Sequence, residues 1–176
     1  MLLAHLPALV IVIPLICAPL CVLLRGKDWA FIVALLATWA SFACSVLLTI
    51  QVMKVGTISY AMGGWAPPYG IEIRLDALNV FILLIVSGIG SVVAPYARNS
   101  LLLEHIEERA YMFYCAYLLC LCGLMGVAVT GDAFNLFVFL EISSLSSYVL
   151  IALGSDRRAL IAAYQYLVMG TIGATF

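Results

Sequence analysis

Uncharged runs alternate with short charged clusters along the whole chain. Residues 2–24 hold no Asp, Glu, Lys or Arg, and residues 29–53 hold none between Asp28 and Lys54. Residues 77–97, 110–131 and 159–176 are likewise uncharged, and residues 133–155 hold a single charge, Glu141. A helix rising 1.5 Å per residue crosses about 30 Å of hydrocarbon in about 20 residues. The first five runs are long enough, and the sixth, with 18 residues, sits at the lower limit. None has the strict apolar–polar alternation of a membrane barrel strand. The pattern predicts an all-α fold: a polytopic transmembrane helix bundle of about six spans.

The sixth run ends in Gly170-Thr-Ile-Gly-Ala-Thr-Phe176, without the polar flank or aromatic anchor that usually closes a span. The expectation is a chain cut inside a helix, a fragment of a larger subunit. Two regions are expected. Residues 1–108 form a three-span N-terminal region with an outer Gly/Pro loop over 54–76, and residues 109–176 open a second region, truncated in the sixth span.

Composition narrows the class. Of 176 residues, 66% are hydrophobic and 10% charged, with a mean hydropathy of +1.19. An ordinary soluble domain carries about 25% charged residues, most of them needed to wet its exterior. A soluble enzyme, a disordered chain and a disulfide scaffold are all excluded, and the lipid bilayer becomes the first partner. The net charge of −1 carries no basic excess, so nucleic acid is not an expected partner.

The basic residues orient the spans. Arg25, Lys27, Arg98, Arg109, Arg157 and Arg158 fall on one side, and Lys54 and Arg74 on the other. Lys and Arg favour the cytoplasmic side, which predicts an inner (plasma) membrane protein with its N-terminus outside. The first run is not a cleaved signal, because its positive charges follow the apolar stretch instead of preceding it. Pro7, Pro14 and Pro19 predict a kinked helix there, tolerable inside a bundle.

Several features read as structural. Gly63-Gly-Trp-Ala-Pro-Pro-Tyr-Gly70 is a turn-rich outer cap, with Trp65 and Tyr69 at headgroup level. Ser100 is expected to cap a short amphipathic turn over Leu101–Glu104. His105, among acidic residues, reads as solvated. The six cysteines lie in apolar runs, form no CxxC pair and behave as small hydrophobes. No metal motif, phosphate loop or nucleophile elbow is present, so the chain is expected to hold no cofactor and no redox site of its own.

Glu141 stands apart. It lies eight residues into its run, about 12 Å along the helix and near mid-membrane. A charge at that depth costs about 2.5–3.5 kcal/mol on insertion scales, and such residues are functional by default. Desolvation raises a carboxyl pKa and a nearby cation lowers it, and a carboxyl balanced between the two can load and release a proton. At 100° per residue, Ser144 lies about 60° and Tyr148 about 20° from Glu141, so both share its face and are expected to support it. Asn135, Ser143, Ser146 and Ser147 point elsewhere and suit close helix packing. No Lys or Arg of this chain lies at mid-span to tune Glu141. Gln165, between Tyr164 and Tyr166, is placed to hydrogen-bond across the bundle or simply to pack.

These residues carry a resemblance. Gly63-Gly-Trp-Ala-Pro-Pro-Tyr-Gly-Ile71 followed by Asp76-Ala-Leu78 resembles the outer loop of Mrp-type monovalent cation/proton antiporter subunits. Thr130-Gly-Asp-Ala-Phe-Asn-Leu-Phe-Val-Phe-Leu-Glu-Ile142, then Ser147-Tyr148, is similar to the fifth helix of that superfamily, and Ala162-Ala-Tyr-Gln-Tyr-Leu-Val-Met-Gly170 to the sixth. The likeness is closest to the N-terminal part of the Mrp D subunit. The superfamily also includes the antiporter-like subunits of proton-pumping NADH:quinone oxidoreductase (complex I) and of membrane-bound hydrogenases. The resemblance implies a subunit of about fourteen helices in two inverted five-helix repeats, assembled with other membrane subunits in a hetero-oligomer. It implies that Glu141 is the fifth-helix proton-relay glutamate, paired in the family with a seventh-helix lysine that this chain lacks. Some members carry Lys where Gln165 stands. The function it implies is proton-coupled Na+ exchange, with protons and Na+ as the ions handled. The alternatives are a pumping subunit of a quinone-reducing or hydrogenase complex, and a scaffold piece without transport.

Overall fold

Each uncharged run becomes a helix. The structure, a computed structural model, describes residues 5–65, 70–103, 109–154 and 156–175, with side chains at all of these except 27, 174 and 175. The order is α1 (Leu6–Leu24), α2 (Lys27–Val55), β1 (Ile58–Ala61), a 3-10 turn (Met62–Gly64), β2 (Glu72–Leu75), α3 (Ala77–Leu103), α4 (Ala110–Val129), α5 (Ala133–Ala152) and α6 (Arg157–Thr175). Among the described residues, α1 to α5 are long and apolar enough to cross a membrane. The less apolar α6 carries Arg157, Arg158, Gln165 and two tyrosines in its 19 residues.

The region expected as a loop over 54–76 is more ordered than that. Lys54 and Val55 extend α2, and β1 and β2 pair antiparallel, Ile58 opposite Leu75 and Ala61 opposite Glu72. Gly63 and Gly64 take φ of 68° and 78°, left-handed values that glycine adopts without a Cβ clash. Ile73 and Leu75 alternate with Glu72 and Arg74, and the two apolar side chains seal the end of the bundle. The hairpin is tied down twice. Ile73 bridges Thr130, and the Gly131 N–H donates to the Glu72 carbonyl at 2.9 Å. Ser100 lies inside α3 and is not a cap, because the helix runs on to Leu103. Pro67, Pro68, Tyr69, Glu104, His105, Glu107, Glu108 and Phe176 lie outside the described residues.

The core has two apolar layers. Towards the hairpin, Val10, Ile11, Leu48, Leu83, Leu121 and Met125 interlock across α1 to α4. Towards the other end, Ala18, Ala30, Ala34 and Ala37 let α1 and α2 approach closely around Tyr114 and Leu118. Within lipid, helix association rests on such close packing, not on burial from water. Thr38, Ser45 and Ser87 are fully buried, and their hydroxyls donate to their own helices' carbonyls three or four residues back.

The two ends differ in charge. The α1–α2 and α3–α4 connections and the start of α6 bring Arg25, Arg98, Arg109, Arg157 and Arg158 to one end. Arg98 pairs there with Asp28 at 3.0 Å and covers the Phe31 ring at 4.8 Å. The hairpin end holds Lys54 and Arg74, and His5 meets the Tyr60 hydroxyl there at 2.9 Å.

Candidate functional site

The turn from α4 into α5 aims the candidate residue. Asp132 caps α5 by accepting from the Phe134 N–H at 3.2 Å, and buried Asn135 donates to the Thr130 hydroxyl at 3.2 Å. With Thr130 and Gly131 held under the hairpin, the start of α5 is fixed in height and rotation. Glu141 is then the ninth of twenty residues, at the middle of the helix.

One flank of α5 packs on α4. A Cβ at Gly123 would lie 2.7 Å from the Ser143 backbone nitrogen and 2.8 Å from the Phe139 carbonyl oxygen, and Gly126 accepts the Phe139 ring. Cys120 meets the Ser147 hydroxyl at 3.4 Å. Ser146 and Ser147 donate to the carbonyls of Ile142 and Ser143, so these serines are satisfied within the helix and serve close packing.

Glu141 lies about 200° around the helix from both Phe139 and Ser143, on the flank away from α4. It is half-buried, and no hydrogen bond or ion pair joins it to a described residue. Tyr148 shares that flank. It is buried against α6, its ring edge-on to Tyr166 at 5.1 Å and 84°, with its hydroxyl seated on Gly170. Long side chains on a helix lean towards its N-terminus, which carries the Tyr148 hydroxyl towards the level of Glu141. Ser144 is half-buried on the same side. The structure therefore keeps Glu141, Ser144 and Tyr148 on one flank, but no hydrogen bond links the three. Gln165 is exposed and makes no cross-bundle bond among the described residues.

Gly170 carries no chemical signal in the sequence, and its place is set by Tyr148. A Cβ there would meet the Tyr148 hydroxyl and lie 3.1 Å from Cζ. Gly170→Ala is expected to destabilise the full-length protein by about 1–3 kcal/mol, as overpacking does. Tyr148→Phe removes the clashing oxygen and should recover most of that loss. Thermal unfolding of the two single variants and the double variant checks the coupling.

The surroundings of Glu141 are open. Among the described residues of α6 only Ala163 is buried, and Phe134, Phe137, Leu140, Leu145, Tyr164 and Met169 are exposed. The carboxyl at the middle of α5 thus has exposed apolar side chains one turn away on either side, Phe137 and Leu145.

No protein-family model matches the chain. It is 40% identical over 178 residues to the N subunit of NADH-quinone oxidoreductase from Desulforudis audaxviator, a match covering 98% of this chain and 35% of that protein. It is 32% identical over 130 residues to the D subunit of the Na(+)/H(+) antiporter from Alkalihalophilus pseudofirmus, covering 74% of this chain and 26% of the relative. The putative antiporter subunit mnhD2 of Staphylococcus haemolyticus is 31% identical, covering 97% and 34%. The chain thus spans about a third or less of the length of these relatives. Among solved structures, it superposes on a chain of the archaeal membrane-bound sulfane sulfur reductase with a TM-score of 0.86 at 31% identity, covering 97% of this chain and 35% of that one. A chain of the Mrp complex from a Dietzia species gives 0.83 at 21% identity, covering 99% and 33%, a likeness of fold.

Helices and relatives together define a multi-pass membrane protein. The chain belongs to the antiporter-like superfamily of membrane subunits, which joins the N subunit of NADH-quinone oxidoreductase with the D subunit of Na(+)/H(+) antiporters.

Proposed function

We propose that the full-length protein carries protons through the membrane, with Glu141 as the carboxyl that accepts and releases them in the first half of the pathway. The carrying observation is its position. It lies halfway along α5, half-buried, on the flank that α4 leaves free, where a tuning cation on a further helix has access. Ser144 and Tyr148 support it from the same flank. Residues 109–176 open the translocating region, and residues 1–108 form the bundle and hairpin that hold it. The subunit sits in the plasma membrane among other membrane subunits, N-terminus outside, as the split of basic residues between its ends favours. Proton movement is coupled to outward or inward exchange of a monovalent cation, Na+ first.

A second reading has one observation in its favour. The identity to the N subunit of NADH-quinone oxidoreductase, 40%, exceeds the 31–32% to the antiporter subunits. In that reading the same carboxyl serves a pump driven by quinone reduction. Sealed vesicles containing the full complex separate the two. Antiport predicts that added Na+ dissipates a preset pH gradient without any electron donor. A pump predicts no response to Na+ and acidification of the lumen on addition of NADH or another reductant with quinone. Proton movement under neither condition would sink both readings.

A further inference from the structure

A groove unrelated to Glu141 runs along the outside of the bundle between α1 and α4. Its walls are Leu15, Pro19, Val22 and Leu23 of α1 and Cys115 and Leu119 of α4, and it encloses about 760 Å³. The α1 residues recur at intervals of about one and two turns, so they form one stripe along the helix. The groove extends about 15 Å from Leu15 to its mouth, where Arg25 stands. Among the described lining residues the walls are apolar, and the charged one, Arg25, stands at the mouth.

Arg25 is unusual in two ways. It is exposed and makes no ion pair or hydrogen bond with a described residue, whereas Arg98 nearby is held by Asp28 and Phe31. It is also the one described residue other than glycine with a positive φ, 45°. That left-handed position closes α1, and glycine is the usual residue there. Arginine occupies it although Gly26 follows directly. The backbone therefore sets Arg25 at the end of an apolar channel, its guanidinium unpaired among the described residues. Because a guanidinium presents a planar fork that matches phosphate oxygens, the charge at the mouth favours an anion. The apolar length behind it favours a chain that continues into the membrane.

We propose that this groove binds an anionic phospholipid, its phosphate on Arg25 and one acyl chain between α1 and α4. Basic positions at the cytoplasmic ends of membrane helices suit such headgroups, and one cation near the surface is worth about fivefold in anionic-lipid occupancy. Cys115 and Leu119 contact the acyl chain, so the occupant can be located chemically. This site is independent of the proton pathway.

The test uses the full-length protein in phosphatidylcholine bilayers carrying a small fraction of photoreactive phosphatidylglycerol or, separately, photoreactive phosphatidylcholine. In the wild type, phosphatidylglycerol should label the peptides holding Leu15–Leu23 and Cys115–Leu119 about fivefold more than phosphatidylcholine does. Arg25→Gln should bring the two probes level, and Arg25→Lys should keep most of the preference. Labelling by the phosphatidylcholine probe should stay constant across variants, which reports an intact groove. Equal labelling by both lipids in the wild type would overturn the proposal. So would an undiminished preference in Arg25→Gln. Absence of lipid adducts on both peptides would mean that a protein segment covers the groove, and would overturn it equally.

Discussion

Glu141→Gln in the full-length protein should abolish proton-coupled transport while leaving insertion and assembly intact. The amide has the shape of the carboxyl and can still hydrogen-bond, but it cannot carry a proton. Loss of a positioned proton-transfer group costs about a hundredfold or more in rate. The substitution also removes a mid-membrane charge whose insertion costs about 2.5–3.5 kcal/mol, so the variant should enter the membrane at least as well as the wild type. Lost activity then cannot be assigned to lost protein. Proton flux in sealed vesicles, normalised to the amount of inserted protein, checks the result. Undiminished flux would remove Glu141 from the pathway.

Gly123→Val should produce the largest structural effect. At this point α4 and α5 touch backbone to backbone. A Cβ would lie 2.7 Å from the Ser143 nitrogen and 2.8 Å from the Phe139 oxygen. No side-chain rotation relieves a contact with backbone, so the helices must separate. Overpacking of this kind costs about 1–3 kcal/mol for modest additions, and a branched side chain should reach or pass the upper end. Gly123→Ala should fall lower in the same range. Parting α4 from α5 also shifts the helix that carries Glu141, so transport should fall together with thermal stability. The Glu141→Gln variant, in contrast, should lose transport alone. A Gly123→Val protein with wild-type stability would contradict the close contact.

Charge spacing alone makes the helices legible. Asp28, Lys54, Asp76, Arg109 and Asp132 all lie within two residues of a helix end, and Arg98 lies in the last turns of α3. In lipid, a helix is the way for a single segment to satisfy its own backbone, so an uncharged run of sufficient length has one outcome. The hairpin is harder to read, because four-residue strands give little periodic signal. The Gly/Pro cluster around 63–70 also masks the alternation Glu72-Ile73-Arg74-Leu75 beside it. Ser100 reads as a cap because a serine ahead of Leu101–Glu104 resembles a helix start, whereas α3 runs through it to Leu103.

The site is legible in part. Depth along the run marks Glu141, and a wheel of 100° per residue groups Ser144 and Tyr148 with it. Their surroundings are not legible. The seat of the Tyr148 hydroxyl on Gly170 joins positions 22 residues apart on two helices, and only tertiary packing sets that distance. The Gly123 contact with Ser143 is of the same kind. The bare serines and glycines announce close packing without naming the partner.

The central claim is that the Glu141 carboxyl takes up and gives up a proton during transport. Infrared difference spectroscopy of the full-length protein in oriented membranes, recorded as a pH gradient is imposed and collapsed, measures that event directly. A protonated-carboxyl band that rises and falls with the gradient in the wild type, and is missing in Glu141→Gln, is the expected result. The same band at full strength in Glu141→Gln would contradict the account.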